Sequence, residues 1–419
     1  MKQLSESWQY LALRFLTLAV RFAFVALFFR YSEALYGEYG LVATTVALGI
    51  YVMGMEFYTY SHREFLQASG RTSHIFLQQL TFMLLAYALI LPLFYGFFKA
   101  GFLDDSYLVW FYILIVLEHV SVELHRILFT LRKPLTANIN LFFRNGFWML
   151  PLLWYFYKGK HVDLPLILKF WIAGDILSVL IALAALPGLH WKRLKQFRPD
   201  PAWIKTGFFT GIPFFFAVLS LKIIEFSDRY FIDYFFDKET VGIYTFFGNL
   251  AILIPTVVVT AVISVRYPEL MESILREDYQ KFAELFKEFR RQIVIWTWIT
   301  AAGLLITLPV FLKILGKEAR MHYYGAFVLL TLAYALFTLS MIPHYILYGF
   351  KKDKVLLYSA VTAMAVNVGL NFICIPRFGI WGAAVTTLAA MAVLWGWKTA
   401  SARKLLRQLQ IKGMFLLKN

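Results

Sequence analysis

Gly207–Phe231 reads GFFTGIPFFFAVLSLKIIEFSDRYF. Through Leu221 it carries no charged residue, and the whole run is long enough to cross a bilayer core of about 30 Å, which takes roughly 20 helical residues. Lys222, Glu225 and Arg229 then follow at spacings of three and four, which puts them on one helical face. The stretch therefore reads as a membrane helix that carries charge on purpose. The rest of the chain fits it. Of 419 residues, 60% are hydrophobic and 16% charged, and the mean hydropathy is +0.65. Soluble domains hold about 45–50% apolar and about 25% charged residues. A soluble enzyme, a disordered chain and a secreted disulfide scaffold are all excluded, the last because Cys374 is the single cysteine.

Twelve apolar runs have spanning length. Spans 1–6 are Trp8–Arg30, Tyr39–Tyr60, Ile75–Phe98, Tyr107–Phe129, Ile139–Tyr157 and Leu164–Leu186. Spans 7–12 are Gly207–Phe231, Val241–Ile263, Val294–Leu315, Tyr323–Leu347, Val355–Ile375 and Gly379–Trp397. Arg14 and Arg21 interrupt the first run, so it reads as a retained span and not as a cleaved signal. Of the 41 basic residues, 25 fall on one side of this topology, 8 on the other (counting Lys313 at the end of span 9) and the remaining 8 inside spans. The positive-inside rule then puts both ends in the cytoplasm. The net charge of +16 is mostly topology, and no nucleic-acid partner is expected. The basic stretch Lys398–Lys418, carrying Leu405, Leu406, Leu409 and Ile411, is expected to lie on anionic lipid.

Outward loops are too short for a catalytic domain. The one sizeable loop, Arg266–Arg291, carries Leu275, Tyr279, Phe282, Phe286 and Phe289 at helical spacing and reads as an amphipathic surface helix. It has no Gly-rich phosphate loop, so no nucleotide engine and no cofactor is expected.

A half-length repeat organises the chain. Tyr36-Gly37-Glu38-Tyr39-Gly40 after span 1 is matched by Val241-Gly242-Ile243-Tyr244 after span 7, offset by 205 residues. Arg132-Lys133 before span 5 is matched by Lys351-Lys352 before span 11. Chance recurrence of two Gly-x-Tyr turns is the competing explanation. The expected architecture is an all-α polytopic protein of two six-helix lobes: an N-terminal lobe at 1–187, a basic linker at 188–205, a C-terminal lobe at 206–397 and a basic tail at 398–419. A parallel repeat of this kind places a substrate site between its lobes.

Charges inside spans are expensive and mark cavities, pairs or pathways. Arg14 and Arg21 share one face of span 1, Arg144 lies on span 5, Lys169 and Asp175 on span 6, and Lys222 and Arg229 on span 7. The acids are Glu56, Glu118, Glu123, Asp175, Glu225 and Asp228. Pairing within the membrane, such as Glu225 with Arg229, is the plain explanation. Basic stripes on spans 1 and 7, equivalent in the two halves, suit an anionic cargo instead.

Gly211-Ile212-Pro213 through Asp228-Arg229, Val241-Gly242-Ile243-Tyr244 and Gly379-Ile380-Trp381-Gly382-Ala383 resemble the polysaccharide-exporter (Wzx-type flippase) branch of the MOP superfamily. Tyr36-Gly37-Glu38-Tyr39-Gly40-Leu41 and Met55-Glu56-Phe57 fit its first two helices. The resemblance implies a bacterial inner-membrane protein that carries undecaprenyl-pyrophosphate-linked oligosaccharide between leaflets, amid membrane lipids and beside polysaccharide polymerase or chain-length proteins. Arg14, Arg21, Arg144, Lys222 and Arg229 are then expected to receive the pyrophosphate in a cationic cavity. Glu56, Asp175, Glu225 or Asp228 are expected to carry a coupling H⁺ or Na⁺, or to pair with the cations. A MATE-like multidrug or cation antiporter is the alternative, and calls for an acidic cavity. An oligosaccharide polymerase or ligase needs a large periplasmic loop, which the sequence lacks. His119 and Glu123, one turn apart, are read as pairing with neighbours and not as metal ligands. Asn367 and Asn371 are read as interhelical hydrogen-bonding residues.

Overall fold

A computed structural model describes residues 2–67, 72–186 and 197–411. Among them there is no strand, as expected where every backbone polar group must be satisfied inside its own segment. In chain order the helices are α1 (Lys2–Tyr31), α2 (Glu33–Gly54), α3 (Tyr58–Gln67), α4 (Thr72–Lys99), α5 (Leu108–Thr130), α6 (Pro134–Phe142), α7 (Met149–Tyr157) and α8 (Leu164–Ala185). They continue with α9 (Pro201–Phe235), α10 (Lys238–Ala251), α11 (Leu253–Val258), α12 (Ser264–Leu275), α13 (Tyr279–Ile314), α14 (Tyr324–Gly349), α15 (Asp353–Phe378) and α16 (Ile380–Ile411). Polar caps set the tight joints. Ser32, Asp163, Asp237 and Asp278 accept the free amides of Leu35, Leu166, Thr240 and Lys281 at the starts of α2, α8, α10 and α13. Eleven helical segments among the described residues are long and apolar enough to cross a bilayer. This is a multi-pass membrane protein.

Three of the expected runs have a different local form. Span 5 is divided: α6 and α7 are joined through a π turn, Phe143–Phe147, so the apolar run over 134–157 is helical but not one regular helix. Span 2 stops at Gly54, and Met55 and Glu56 both take left-handed φ (44° and 54°) before α3 begins. The backbone of α9 packs on that break. A Cβ on Gly211 would come within 2.7 Å of the Met55 carbonyl, so only glycine permits the approach. Span 8 likewise continues through a π turn, Val259–Ile263, into α12.

The Arg266–Arg291 segment is not a lone surface helix. It is the tip of a hairpin, α12 to α13, with the turn at Arg276–Asp278. Phe282 and Phe289 are buried among Ile346, Leu347, Leu356, Ala402 and Leu405, while Leu275 is exposed. The periodicity was amphipathic because α14, α15 and α16 cover that face. The first part of the basic tail is also protein-bound. Residues 398–408 continue α16, and Ala402 and Leu405 pack into the same cluster while Arg403, Lys404 and Arg407 stay exposed. The side chains of Leu409 and Ile411, and residues 412–419, lie outside the described residues, as do Lys192, Arg193 and Lys195 of the expected linker.

The chain divides into two compact units, Met1–Phe215 and Phe216–Asn419, with the division inside α9 just after Pro213. In the first unit Phe65, Ile75, Leu124, Leu128 and Ala182 form one apolar cluster. In the second, Ile224 of α9 packs on small residues of α14, α15 and α16: Ala333, Ala360, Ala363 and Ala390. Small side chains let membrane helices approach closely.

Candidate polar sites

In the first unit the π turn of span 5 builds a polar cluster. Gly174 of α8 sits so close to the turn that an added Cβ would lie 2.7 Å from the Phe143 carbonyl and 2.8 Å from Trp148. This contact brings the next residue, Asp175, into electrostatic reach of Arg144 and of Glu118 on α5. Arg144 Nε lies 3.7 Å from Glu118 Oε2, both groups buried. The other carboxylate oxygen of Glu118 accepts from Trp171 Nε1 at 2.7 Å. Trp171 stacks on Trp148 at 5.6 Å, and Trp148 Nε1 in turn donates to the Arg144 carbonyl at 2.7 Å. One turn further along α8, Ser178 hydrogen-bonds Ser121 and accepts from Asn140 Nδ2, both at 2.6 Å. Asp175 is fully buried, and neither of its carboxylate oxygens has a hydrogen-bond partner; Nε and Nη1 of Arg144 also have none. Arg21 acts on Glu118 and Arg144 electrostatically. Arg14 and Arg21 are both exposed on α1, and neither makes an ion pair among the described residues.

A second buried cluster lies beside the α2–α3 break. Arg126 donates to Glu123 at 2.6 Å, and Gln79 Nε2 donates to the other oxygen at 2.6 Å. The Arg126 guanidinium lies over the Tyr58 ring at 3.8 Å, and the Tyr58 hydroxyl donates to Glu56. His62 on α3, against Thr130 at 3.0 Å, is pushed down to about 4 by burial. His119 bonds the Tyr87 hydroxyl at 2.7 Å and not Glu123.

In the second unit, α9 carries three separate arrangements. Lys222 Nζ donates to Glu225 at 2.7 Å, both half-buried. The expected pairing of Glu225 with Arg229 is therefore corrected: the carboxylate turns toward Lys222, and Arg229 takes only the backbone carbonyl of Glu225, at 2.8 Å, and Thr245 Oγ1, at 3.2 Å. Arg229 is buried and has no ion pair among the described residues. Asp228 accepts from the Tyr244 hydroxyl, from Thr387 Oγ1 at 2.5 Å and from Asn371 Nδ2 at 2.7 Å. Thr386 Oγ1 donates to the Asn371 side-chain carbonyl at 2.5 Å, and Asn367 accepts from Ser227 and Asn371. The two asparagines thus hydrogen-bond between helices.

The candidate residues separate into clusters within each unit. Arg144 and Asp175 come together with Glu118, and Arg21 lies within electrostatic reach. Glu56 belongs to a different group, with Arg126. Lys222 and Glu225 pair with each other. Lys169 is exposed on α8, away from Asp175's buried face. The sequence reading overlooked Tyr244, Thr386 and Thr387 around Asp228, and Trp171 on Glu118. Residues from three or four helices converge there, and no local spacing announces them.

No protein-family model and no curated protein sequence matches the chain. Solved structures do match in fold. A multidrug resistance MATE family transporter of the MOP superfamily, in its inward-facing conformation, superposes with a TM-score of 0.68 at 13% identity, over 94% of this chain and 95% of that one. Lipid II flippase MurJ, inward closed, gives 0.71 at 14%, over 94% and 87%. An outward-facing MATE transporter of the same superfamily gives 0.55 at 13%, over 95% and 94%. The fold is that of MOP-superfamily transporters and flippases: all-helical, polytopic and built over nearly the full length of both chains.

Proposed function

We propose that this chain is a flippase that carries undecaprenyl-pyrophosphate-linked oligosaccharide, the repeat unit of an O-antigen or another surface polysaccharide, from the cytoplasmic to the periplasmic leaflet of a bacterial inner membrane by alternating access. One observation carries the reading: neither Arg21 on α1 nor Arg229 on α9 makes an ion pair among the described residues. A cation within a spanning helix that makes no ion pair is costly unless it meets water or an anion. Pyrophosphate supplies that anion, and arginine adds a forked donor geometry that lysine lacks. Arg14 stands at the start of the apolar part of α1 and reaches the interface by snorkelling. Arg144 and Lys222 are already shared with Glu118 and Glu225, so they contribute field more than direct contact. The coupling ion is assigned to one of two carboxylates. Asp228 with Asn371, Thr386 and Thr387 offers the oxygen-rich set a hard cation such as Na⁺ prefers, and Asp175 stands open.

One observation favours a multidrug or cation antiporter instead. Glu118, Asp175, Glu56 and Glu123 make the buried interior of the first unit acid-rich. Binding in lipid nanodiscs separates the readings. Intrinsic tryptophan fluorescence is expected to respond to a polyprenyl-pyrophosphate oligosaccharide and to be weakened by Arg229→Ala. A response to tetraphenylphosphonium alone, insensitive to Arg229→Ala, would favour the antiporter.

A further inference from the structure

The first unit buries two clusters of two carboxylates and one arginine, and they are not filled alike. Around Arg126, Glu123 takes both an ion pair and the Gln79 amide, and Glu56 takes the Tyr58 hydroxyl. Around Arg144, Glu118 takes Trp171 and the guanidinium, but Asp175 is fully buried with both oxygens bare. A buried carboxylate without a donor is among the most expensive groups a protein can hold, most of all inside a membrane. We propose that Glu118 and Asp175 hold one exchangeable proton between them, forming a proton-binding site of the first unit.

The charge count supports it. Two carboxylates face one adjacent guanidinium, and a single proton brings the trio to neutrality. Two carboxylates in reach of each other cannot both ionise freely, and they bind protons as a pair. Glu118 from α5 and Arg144 from the π turn act on Asp175, while Arg21 of α1 and Tyr39 of α2, whose ring lies 5.9 Å from that of Trp171, act on Glu118. His125 of α5 also feels Arg144. Helix α6 offers the neutral Asn140, and the Tyr155 ring of α7 lies 6.4 Å from that of Phe170 on α8. Among the described residues Glu118 is the one acid that acts on Asp175, so the pair accounts for the proton. When Arg144 turns from Glu118 to Asp175, the proton passes to the carboxylate it leaves or to water, and nothing else is gained or lost. Gly174 and the π turn give Arg144 its place between the two acids, and π turns recur at functional sites.

The proton site stands without the cargo reading; only its use as the coupling step rests on the proposed flippase. The test therefore uses no cargo. Full-length protein in lipid films is titrated while the infrared carboxylic-acid C=O band is followed in H₂O and D₂O. The expected result is a titrating band lost in Asp175→Asn, shifted in midpoint in Glu118→Gln and unchanged in Glu123→Gln. A titration identical in wild type, Asp175→Asn and Glu118→Gln overturns the proposal. Should Asp175→Asn fail to insert, Glu118→Gln decides alone: a moved midpoint upholds the shared proton and an unmoved one refutes it. If the band behaves as expected but lipid-linked oligosaccharide is not carried, the proton site stands and the cargo reading falls.

Discussion

Arg144 and Arg229 are both buried arginines on spanning segments, yet their surroundings assign them opposite sensitivities. Removing Arg144 leaves Glu118 with one tryptophan donor and Asp175 with nothing, so Arg144→Ala is expected to destabilise the protein by about 3–5 kcal/mol, the usual result of breaking a buried pair. Arg229→Ala breaks no ion pair, and is expected to leave thermal stability in detergent within about 1 kcal/mol of wild type, because the two hydrogen bonds lost from the guanidinium are offset by relief of its burial in the membrane. Comparing the two melting curves checks both. Neutralising Glu225 is not expected to rescue any Arg229 variant, because the Glu225 carboxylate belongs to Lys222. Spacing alone did not distinguish these partners: Lys222 and Arg229 lie three and four residues from Glu225, and both separations bring side chains together on a helix. His62 gives a pH test. Burial lowers its folded-state value from 6.5 to about 4, so the unfolded chain takes up the proton first. The stability from neutral His62 is whole above about 6.5 and is lost as pH falls toward 4. Hydrogen exchange in α3 is expected to rise over that interval in wild type and less in His62→Gln; equal slopes would contradict it.

At the scale of elements, the sequence disclosed lengths and faces better than interruptions. The hydropathy runs located the spans because burial in lipid demands about 20 apolar residues wherever the chain crosses. The π turn at Phe143–Phe147 left no such mark, since FRNGF differs from its neighbours only by Arg144, Asn145 and Gly146. The break at Met55–Glu56 was equally silent, because left-handed φ at two non-glycine residues is imposed by packing and not by propensity. Gly174→Ala is expected to push α8 off the π turn and lower stability by about 1–3 kcal/mol, an overpacking effect, measurable by thermal unfolding. The amphipathic pattern at Tyr279–Phe289 was legible, but its partner was not, since the covering residues Leu347, Leu356 and Leu405 arrive from 60 to more than 100 positions away. Phe289→Ala is expected to cost about 3–5 kcal/mol. A loss below about 1 kcal/mol would mean that this face is not held against α14 and α16.

For the whole molecule, composition and span count led to the all-helical fold that the MATE and MurJ structures share, and 13–14% identity explains why no sequence family announces it. The polar clusters were less legible. Asp228 was visible as a charge in a span, but Tyr244, Asn371 and Thr387 lie on three other helices and are drawn in only by folding. If Arg21 and Arg229 serve an anionic cargo, translocation itself must depend on them. The protein is reconstituted in vesicles with a polyprenyl-pyrophosphate oligosaccharide, whose exposure at the outer face is followed with a membrane-impermeant sugar-specific probe. Protein-dependent exposure is expected, falling strongly in Arg21→Ala and Arg229→Ala and recovering partly with lysine at either position. Exposure at the protein-free rate, with or without an imposed ion gradient, would contradict it.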